Sequence, residues 1–228
     1  MKDGTRPRVL LSQKRSNVLK ARAVKRGDLE NVLQTGGYYF CYNASVASLK
    51  TTRLILSLPR GGDGGDELVL AVIHVSYAFL QSNPYGGGKV KYTPWKDALT
   101  GVMRAFRASG PQYGGGSAPT RWLDTLIEFM ASIGFESCYN EPPVFIDRKA
   151  GVIVAVDDAT VYGKKIHVVA FLVALKARFV CKEVEYLTKE TTIDLLGVEL
   201  SMAGLLGGLY TIVSMESYTR TVLLSLGV

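Results

Sequence analysis

Short apolar runs separated by glycine-rich breaks organise the chain. Residues 67–75 contain the unbroken run LVLAVI and residues 152–156 contain VIVAV, so both segments are predicted to be buried strands. Turn-forming residues at 147–151 join the second strand to the apolar residues 144–146, which predicts a β-hairpin.

Two segments carry helical patterns. Residues 119–133 form an amphipathic helix with Pro119 in its first turn and Gly134 just after its end. Its predicted buried face consists of large apolar residues, namely Trp122, Leu126, Phe129, Met130 and Ile133. Residues 164–179 form a second helix, which is apolar nearly all round between Ile166 and Leu175. A helix of that kind is buried or pairs with a partner.

The order of these elements decides the fold class. Late strands are predicted at residues 192–200 and 209–213, and strands and helices mix without regular βαβ alternation. An α+β fold with an antiparallel sheet follows. The uncharged stretch at residues 200–215 is short for a membrane span and contains three glycines. It therefore predicts a buried strand pair with a glycine turn, and no membrane partner is expected.

Composition adds a charge asymmetry to this picture. The 228 residues are 47% hydrophobic and 21% charged, which is typical of one globular domain or two small ones. The net charge is +7, and nine basic residues crowd into residues 1–26. A basic arm of this kind is typical of a phosphate-binding segment or of a nuclear localisation signal, and a solvated tail is the alternative. Three widely spaced cysteines form no disulfide framework and no zinc pattern, so an intracellular location, cytoplasmic or nuclear, is expected.

Two adjacent carboxylates, Asp157 and Asp158, end the predicted strand at residues 152–156. Aspartate is depleted in strands and is rarely buried without a partner. A divalent cation is one such partner, because carboxylate oxygens are its preferred ligands. Aspartate is also a common turn residue, so a plain hairpin turn remains open as the alternative.

Seven short motifs follow one another along the chain from residue 20 onward. They are KARAVKRG at 20–27, SVASLKTTRL at 45–54, IHVSYAFL at 73–80, YG at 113–114 with APTRW at 118–122, IGF at 133–135 with VDD at 156–158, LLGVE at 195–199, and IVS at 212–214 with Tyr218 and the pair at 223–224. In this order and spacing they resemble the reverse transcriptase domain of copia-type LTR retrotransposons. Each motif alone is weak, whereas seven in order are specific.

The resemblance implies a polymerase-like fold with fingers and palm, in which an antiparallel sheet has its helices packed on one face. By this likeness, residues 1–65 would be the basic arm and fingers, residues 66–200 the palm, and residues 201–228 the start of the thumb or connection. The implied activity is RNA-directed DNA synthesis, a nucleotidyl transfer that uses an RNA template, a DNA primer and dNTPs. The implied cofactor is Mg²⁺, or Mn²⁺ in its place.

The same resemblance assigns roles to individual residues. Asp157 and Asp158 match the family's aspartate box and would be catalytic metal ligands. His74 occupies the position of the family's other catalytic aspartate, and Ala155 replaces the box tyrosine. Imidazole prefers softer metals than Mg²⁺, which favours oxygen ligands. The resemblance therefore predicts a catalytically impaired enzyme.

Four further residues are expected to contact nucleic acid or nucleotide. Lys20, Arg22 and Arg26 would meet phosphates, and Trp122 would help to seat its helix near template and nucleotide. The alternative function is a non-catalytic relic of the fold that acts as a nucleic-acid-binding or protein-interaction module. A protein partner would then use the apolar helix between Ile166 and Leu175.

Overall fold

The computed structural model describes residues 8–13, 19–24, 47–61, 67–88, 90–97, 99–155, 159–195, 198–205 and 208–225. The chain divides into two compact units. One contains residues 1–44 and 77–128, and the other contains residues 45–76 and 129–228. Each unit is therefore built from two separate stretches of sequence.

The described elements are thirteen strands and four α-helices. In chain order they are β1 (Arg8–Gln13), β2 (Leu19–Val24), α1 (Leu49–Ser57), β3 (Leu68–Ile73), β4 (Lys91–Lys96), β5 (Met103–Ala108), α2 (Ala118–Ser132), β6 (Glu136–Cys138), β7 (Glu141–Asp147), β8 (Val152–Ala155), β9 (Ala159–Lys164), α3 (Lys165–Arg178), β10 (Glu185–Tyr186), β11 (Ile193–Leu195), β12 (Val198–Leu205), β13 (Gly208–Ser214) and α4 (Glu216–Ser225). Every described pairing between strands is antiparallel, so the predicted α+β class with an antiparallel sheet is confirmed.

Two separate ribbons belong to the first unit. β1 pairs with β2, and β4 pairs with β5. Short 3₁₀ helices at Ala78–Gln81 and Gly86–Gly88 lie between β3 and β4 in the chain.

The second unit is centred on a six-stranded sheet with the strand order β10-β3-β9-β8-β7-β6. The predicted strand at residues 67–75 is confirmed as β3, and the predicted hairpin is confirmed as β7–β8. The Asp147 carboxylate closes the hairpin turn by accepting hydrogen bonds from the backbone N–H groups of Lys149 and Ala150, at 2.9 and 3.0 Å. This is the usual way in which aspartate stabilises a turn.

One face of this sheet is covered by α1 and the sheet of β11, β12 and β13. Leu70 and Val72 of β3 pack there with Ile55 of α1 and with Leu195 and Leu200 from the smaller sheet. All five side chains are buried, so this cluster is the main hydrophobic core of the unit.

The opposite face of the sheet is covered as well. Val69, Ala71 and Ile73 alternate with the previous set along β3 and are also buried. α3 contacts β3 and β9, and its Phe171 ring lies 5.3 Å from that of Phe135. Helices therefore cover both faces, which differs from the prediction of helices on one face. The reason is visible in β3, since a strand that is apolar at every position is buried on both sides.

The predicted single strand at residues 192–200 is wrong, because two strands occupy this segment. β11 and β12 run antiparallel, with Leu195 opposite Val198. Ile193 and Leu195 are separated from Val198 and Leu200 by a change of alternation, so one continuous strand would have placed the two pairs on opposite faces. Folding back allows Ile193, Leu195 and Leu200 to be buried together.

The predicted pair of strands that follows is confirmed as β12 and β13, with Leu205 opposite Gly208. The pair is less buried than expected, because Ile212 and Val213 are exposed. Within the described residues, no helix is long and apolar enough to cross a membrane.

The amphipathic helix predicted at residues 119–133 is confirmed as α2. Leu126 and Met130 are buried, whereas Asp124 and Glu128 are exposed. Gly134 follows two residues after the end of the helix, and its φ of 90° lies in the left-handed region that favours glycine. The N–H of the next residue, Phe135, then donates to the carbonyl of Met130 at 2.9 Å.

Candidate active site

The end of β3, the end of β8 and the start of β9 lie next to one another in the second unit. Ile73, the last residue of β3, pairs with Ala159, the first residue of β9. Ala155, at the end of β8, pairs with Thr160 of β9. The strand ends that flank residues 156–158 are therefore adjacent to the strand end that carries His74.

Backbone hydrogen bonds hold the segment that contains His74. Its carbonyl accepts from the N–H of Lys182 at 2.9 Å, and the Ser76 N–H donates to the carbonyl of Val180 at 2.8 Å. Val75 forms an isolated β-bridge with Cys181 between these two bonds. His74 is half-buried and follows directly after β3, in which five of the six residues are buried. Its position is thus fixed by the fold of the second unit.

The thiol on the other side of this bridge is not activated. Burial raises the pKa of the Cys181 thiol, and the nearby Lys176 ammonium opposes this effect only in part. The thiol also donates a weak hydrogen bond to the Phe179 carbonyl, at 3.4 Å. A thiol with a raised pKa carries little thiolate at neutral pH and is a poor nucleophile. Cys181 is therefore a packing residue in this site.

Asp157 and Asp158, the predicted metal ligands, lie outside the described residues. Among the residues that the structure does describe, no group of three or more His, Cys, Asp or Glu side chains is arranged to hold a metal ion. His74 offers a nitrogen donor, whereas Mg²⁺ prefers oxygen ligands in octahedral geometry. The described side chains by themselves therefore do not fit a Mg²⁺ site.

Trp122 lies in the part of α2 that belongs to the first unit, and it is half-buried. Contacts with the segment before β4 fix this part of the helix. The Arg121 guanidinium lies 4.8 Å from the centre of the Tyr85 ring, and the Thr125 hydroxyl accepts from the N–H of Asn83 at 2.9 Å. Trp122 is thereby held on a helix that is anchored on either side of it.

The predicted phosphate contacts are also in the first unit. Lys20 and Arg22 lie two residues apart in β2, where they pair with Ser12 and Leu10 of β1. Arg26 lies outside the described residues. Part of the basic arm is therefore a β-ribbon, and the predicted role of Lys20, Arg22 and Arg26 in phosphate binding stays a prediction.

One backbone feature next to this site could not be predicted from the sequence. Tyr77, three residues after His74, has φ 53° and ψ 39°, a left-handed conformation that is uncommon for any residue except glycine. The exposed Tyr77 starts the turn into the 3₁₀ helix at Ala78–Gln81. Tyrosine has no preference for this conformation, so composition gives no signal for it.

A contact that the sequence does not predict joins α1 to β7. Ser48 caps α1 by accepting from the Thr51 N–H at 3.2 Å. The Glu141 carboxylate accepts from the Ser48 N–H and from the Thr51 hydroxyl. These hydrogen bonds, the one from the Thr51 hydroxyl first, lower the pKa of Glu141. The only hint in the sequence is Ser48 itself, a preferred N-cap residue just before an apolar run.

A groove of 430 Å³ lies between α1 and the β7–β8 hairpin. Its walls include Leu54, Ile55, Val144 and Ile153, and its acidic residue, Glu141, is already engaged at the start of α1. The other polar residues in its lining are Thr51, Cys138, Tyr139 and Asn140, so the groove holds no second carboxylate and no histidine or basic residue that could support acid–base or metal chemistry. The edge of the sheet that carries His74 therefore remains the candidate active site.

No protein-family model, curated protein or solved structure matches the chain. The resemblance to copia-type reverse transcriptases is carried by the seven motifs alone.

Proposed function

We propose that the chain is a degenerate reverse transcriptase domain of the copia-type retrotransposon family, with its RNA-directed DNA polymerase activity impaired. The observation that supports this most is the pairing of Ile73 with Ala159. It brings His74 beside the strand ends that flank Asp157 and Asp158, where the resemblance expects two strands to present their carboxylates together.

The expected impairment follows from the chemistry of His74. In the resembled family, two divalent cations activate the primer hydroxyl and neutralise charge on the transferred phosphoryl group. An imidazole supplies neutral nitrogen where an anionic oxygen is required. Misplacement of reacting groups by about 1 Å already costs about two orders of magnitude in rate. The unmodified chain should therefore be nearly inactive.

Primer extension on an RNA template tests this proposal. We expect no extension by the unmodified chain with Mg²⁺ and little with Mn²⁺, which accepts nitrogen more readily. His74→Asp should raise the yield, and Asp157→Asn added to it should abolish the gain. His167→Asp is the matched control, because His167 is the other histidine of the chain and is exposed on α3. Strong extension by the unmodified chain that Asp157→Asn removes would contradict the impairment.

A second candidate function is protein interaction, and the surface of α3 favours it. Val168, Phe171, Leu172 and Leu175 are buried, as expected for the face that packs on the sheet. Ile166 and Val173 on the remaining surface are 62% and 65% exposed. Valine and isoleucine seven residues apart on one helix form an apolar stripe of the kind that packs against another helix.

The charges around this stripe suggest what such a partner would be. Residues 164–178 contain three lysines, an arginine and a histidine, and no acidic residue. Two of these lysines form ion pairs, Lys165 with Glu67 at 2.8 Å and Lys176 with Glu183 at 3.7 Å. A second copy of α3 would bring like charges together. An amphipathic helix with acidic flanks is therefore the partner that this surface fits best.

A further inference from the structure

The ribbon formed by β4 and β5 has an unusual concentration of positive charge. Residues 89–108 contain five basic residues and one acidic residue. The two strands pair with each other in a sheet of their own. Two-stranded ribbons are marginally stable when nothing covers them, and this one keeps large side chains exposed.

The register of the ribbon places an aromatic ring and a guanidinium side by side. Tyr92 of β4 is directly opposite Arg107 of β5, and cross-strand partners lie on the same face. Tyr92 is 63% exposed and Arg107 is exposed as well. The Tyr92 ring is therefore available for stacking, with a cation beside it.

The same face of the ribbon carries a second basic residue further along the strands. Pro94 and Ala105, which both have short side chains, form the next pair on this face. Lys96 and Met103 form the pair beyond it, about 13 Å along the ribbon from Tyr92 at the usual rise per residue. A second cation thus lies on the same exposed face.

The acidic residue of the ribbon is already engaged in its turn. The Asp97 carboxylate accepts from the N–H groups of Leu99 and Thr100, at 2.9 and 3.1 Å, and lies 3.6 Å from the Arg104 guanidinium. The backbone hydrogen bond from Thr100, followed by that from Leu99, lowers the pKa of Asp97 and keeps it ionised. Among the described residues, no acidic side chain forms an ion pair with Arg107 or Lys96.

We propose that this face of the β4–β5 ribbon binds single-stranded nucleic acid. Tyr92 stacks on a base, and Arg107 and Lys96 contact the phosphates on either side. Stacking on an exposed ring beside cations is the general way in which proteins hold single strands without reading their sequence. The proposal concerns the ribbon alone and does not depend on polymerase activity.

Fluorescence anisotropy tests the proposal. A labelled oligouridine of twelve nucleotides is titrated with the full chain at several salt concentrations. Tyr92→Ala and Tyr92→Leu should each weaken binding about 5- to 100-fold, as expected for the loss of one stacked base, and Tyr92→Phe should bind normally. Arg107→Ala should reduce the salt slope by about 0.7, the value for one phosphate contact on a single strand. Tyr92→Leu keeps apolar surface on the ribbon and therefore separates the loss of the ring from a loss of folding.

Matched controls come from the second unit. Tyr139→Ala removes a tyrosine that is 97% exposed, and Arg148→Ala removes an exposed arginine. Neither should change the affinity for oligouridine by more than about twofold. An abasic oligonucleotide of the same length should bind unmodified chain and Tyr92→Ala alike.

Three results would overturn the proposal. One is equal affinity of Tyr92→Ala and Tyr139→Ala for oligouridine. Another is a loss on Tyr92→Ala that is as large with the abasic oligonucleotide, because the ring would then not stack on a base. The third is binding of the chain to phosphatidylserine vesicles but not to oligouridine, which would make the ribbon, with the exposed Leu99 near its tip, a membrane-surface element.

Discussion

The ionisation of Glu141 bears directly on the contact between α1 and β7 in the second unit. Its carboxylate accepts hydrogen bonds from the first residues of α1, although 90 residues or more separate them in sequence. Hydrogen bonds to an ionised acceptor are stronger than neutral ones. Protonation of Glu141 would weaken the contact between α1 and β7.

The stabilisation that ionised Glu141 provides should be present at neutral pH and lost in acid. The pKa of Glu141 is lower in the folded chain than its ordinary value of 4.5, so the unfolded chain takes up the proton first on acidification. The stabilisation is complete above the ordinary pKa and is lost as the pH falls through the folded-state pKa. We expect Glu141→Gln to lower the free energy of unfolding by about 1 kcal/mol at pH 7, after allowance for solvent screening.

Urea unfolding of both proteins between pH 7 and pH 3 measures this effect. The difference between the unmodified chain and Glu141→Gln should shrink steadily toward acid. Glu190→Gln, at an exposed glutamate, is the matched control and should give a small difference. A difference for Glu141→Gln that does not change with pH would show that its charge plays no part.

Among single residues, the sequence predicts the position of His74 but not the contact of Glu141 or the backbone conformation of Tyr77. His74 could be placed at a strand end because the apolar run that precedes it is unambiguous. The Glu141 contact and the left-handed Tyr77 could not be predicted. The first depends on two segments that are distant in sequence, and the second on a conformation that tyrosine does not favour.

The helix α3 has more apolar surface than its packing on the sheet requires. A helix that packs on one face of a sheet needs one apolar stripe, and α3 has a second one at Ile166 and Val173. We expect this stripe to bind a synthetic amphipathic helix that has leucines on one face and glutamates along its flanks. The same peptide with lysines in place of the glutamates should not bind, because the surface of α3 is basic.

Val173→Asp should weaken binding of the acidic peptide at least about tenfold, since burial of one valine contributes about 1.5 kcal/mol or more. Val213→Asp, at an exposed valine of β13, is the matched control. Anisotropy of the labelled peptide gives the affinities, and sedimentation gives the mass of the free chain. Equal binding of the lysine peptide, or a dimer of the chain that Val173→Asp disrupts, would contradict an acidic partner.

The elements that the sequence predicted have a clear hydrophobic pattern, which is an unbroken apolar run in β3 and β8 and a helical period in α2. The ribbon of β4 and β5 was not predicted, because Pro94 and the six charged residues in and around its strands interrupt any alternation. α1 was not predicted as a helix, because it is only nine residues long and contains two threonines. The single strand predicted at residues 192–200 is wrong because the alternation of apolar residues changes between Leu195 and Val198, where the chain forms two strands.

At the scale of the whole molecule, each compact unit combines two separated stretches of chain. Such a division cannot be derived from composition, which gives no information about contacts between distant segments. The predicted division into arm and fingers at 1–65, palm at 66–200 and thumb at 201–228 stays a prediction. The net charge of +7 and its concentration in residues 1–26 are properties of the sequence itself.

This charge leads to a prediction about nucleic-acid duplexes. If Lys20, Arg22 and Arg26 contact phosphates, affinity for a DNA–RNA hybrid should fall steeply with salt on a log–log plot. Deletion of residues 1–26 should flatten the slope by about 0.7 to 0.9 for each phosphate contact that this segment supplies. Anisotropy titrations at several salt concentrations provide the slopes.

The full chain carrying Arg148→Gln and Lys149→Gln is the control for a general loss of positive charge, because both residues are exposed in the second unit. Its slope should remain close to that of the unmodified chain. An unchanged slope after the deletion would identify the basic arm as a solvated segment without a role in binding.

The proposed function requires that residue 74 and Asp157 belong to one site. The most direct test is a double-mutant cycle on Mn²⁺ affinity, with free Mn²⁺ measured by electron paramagnetic resonance. His74→Asp should raise the affinity at least about tenfold, because it restores an anionic oxygen ligand. Adding Asp157→Asn should remove that gain. An affinity that His74→Asp does not change, or a gain that persists without Asp157, would contradict the shared site.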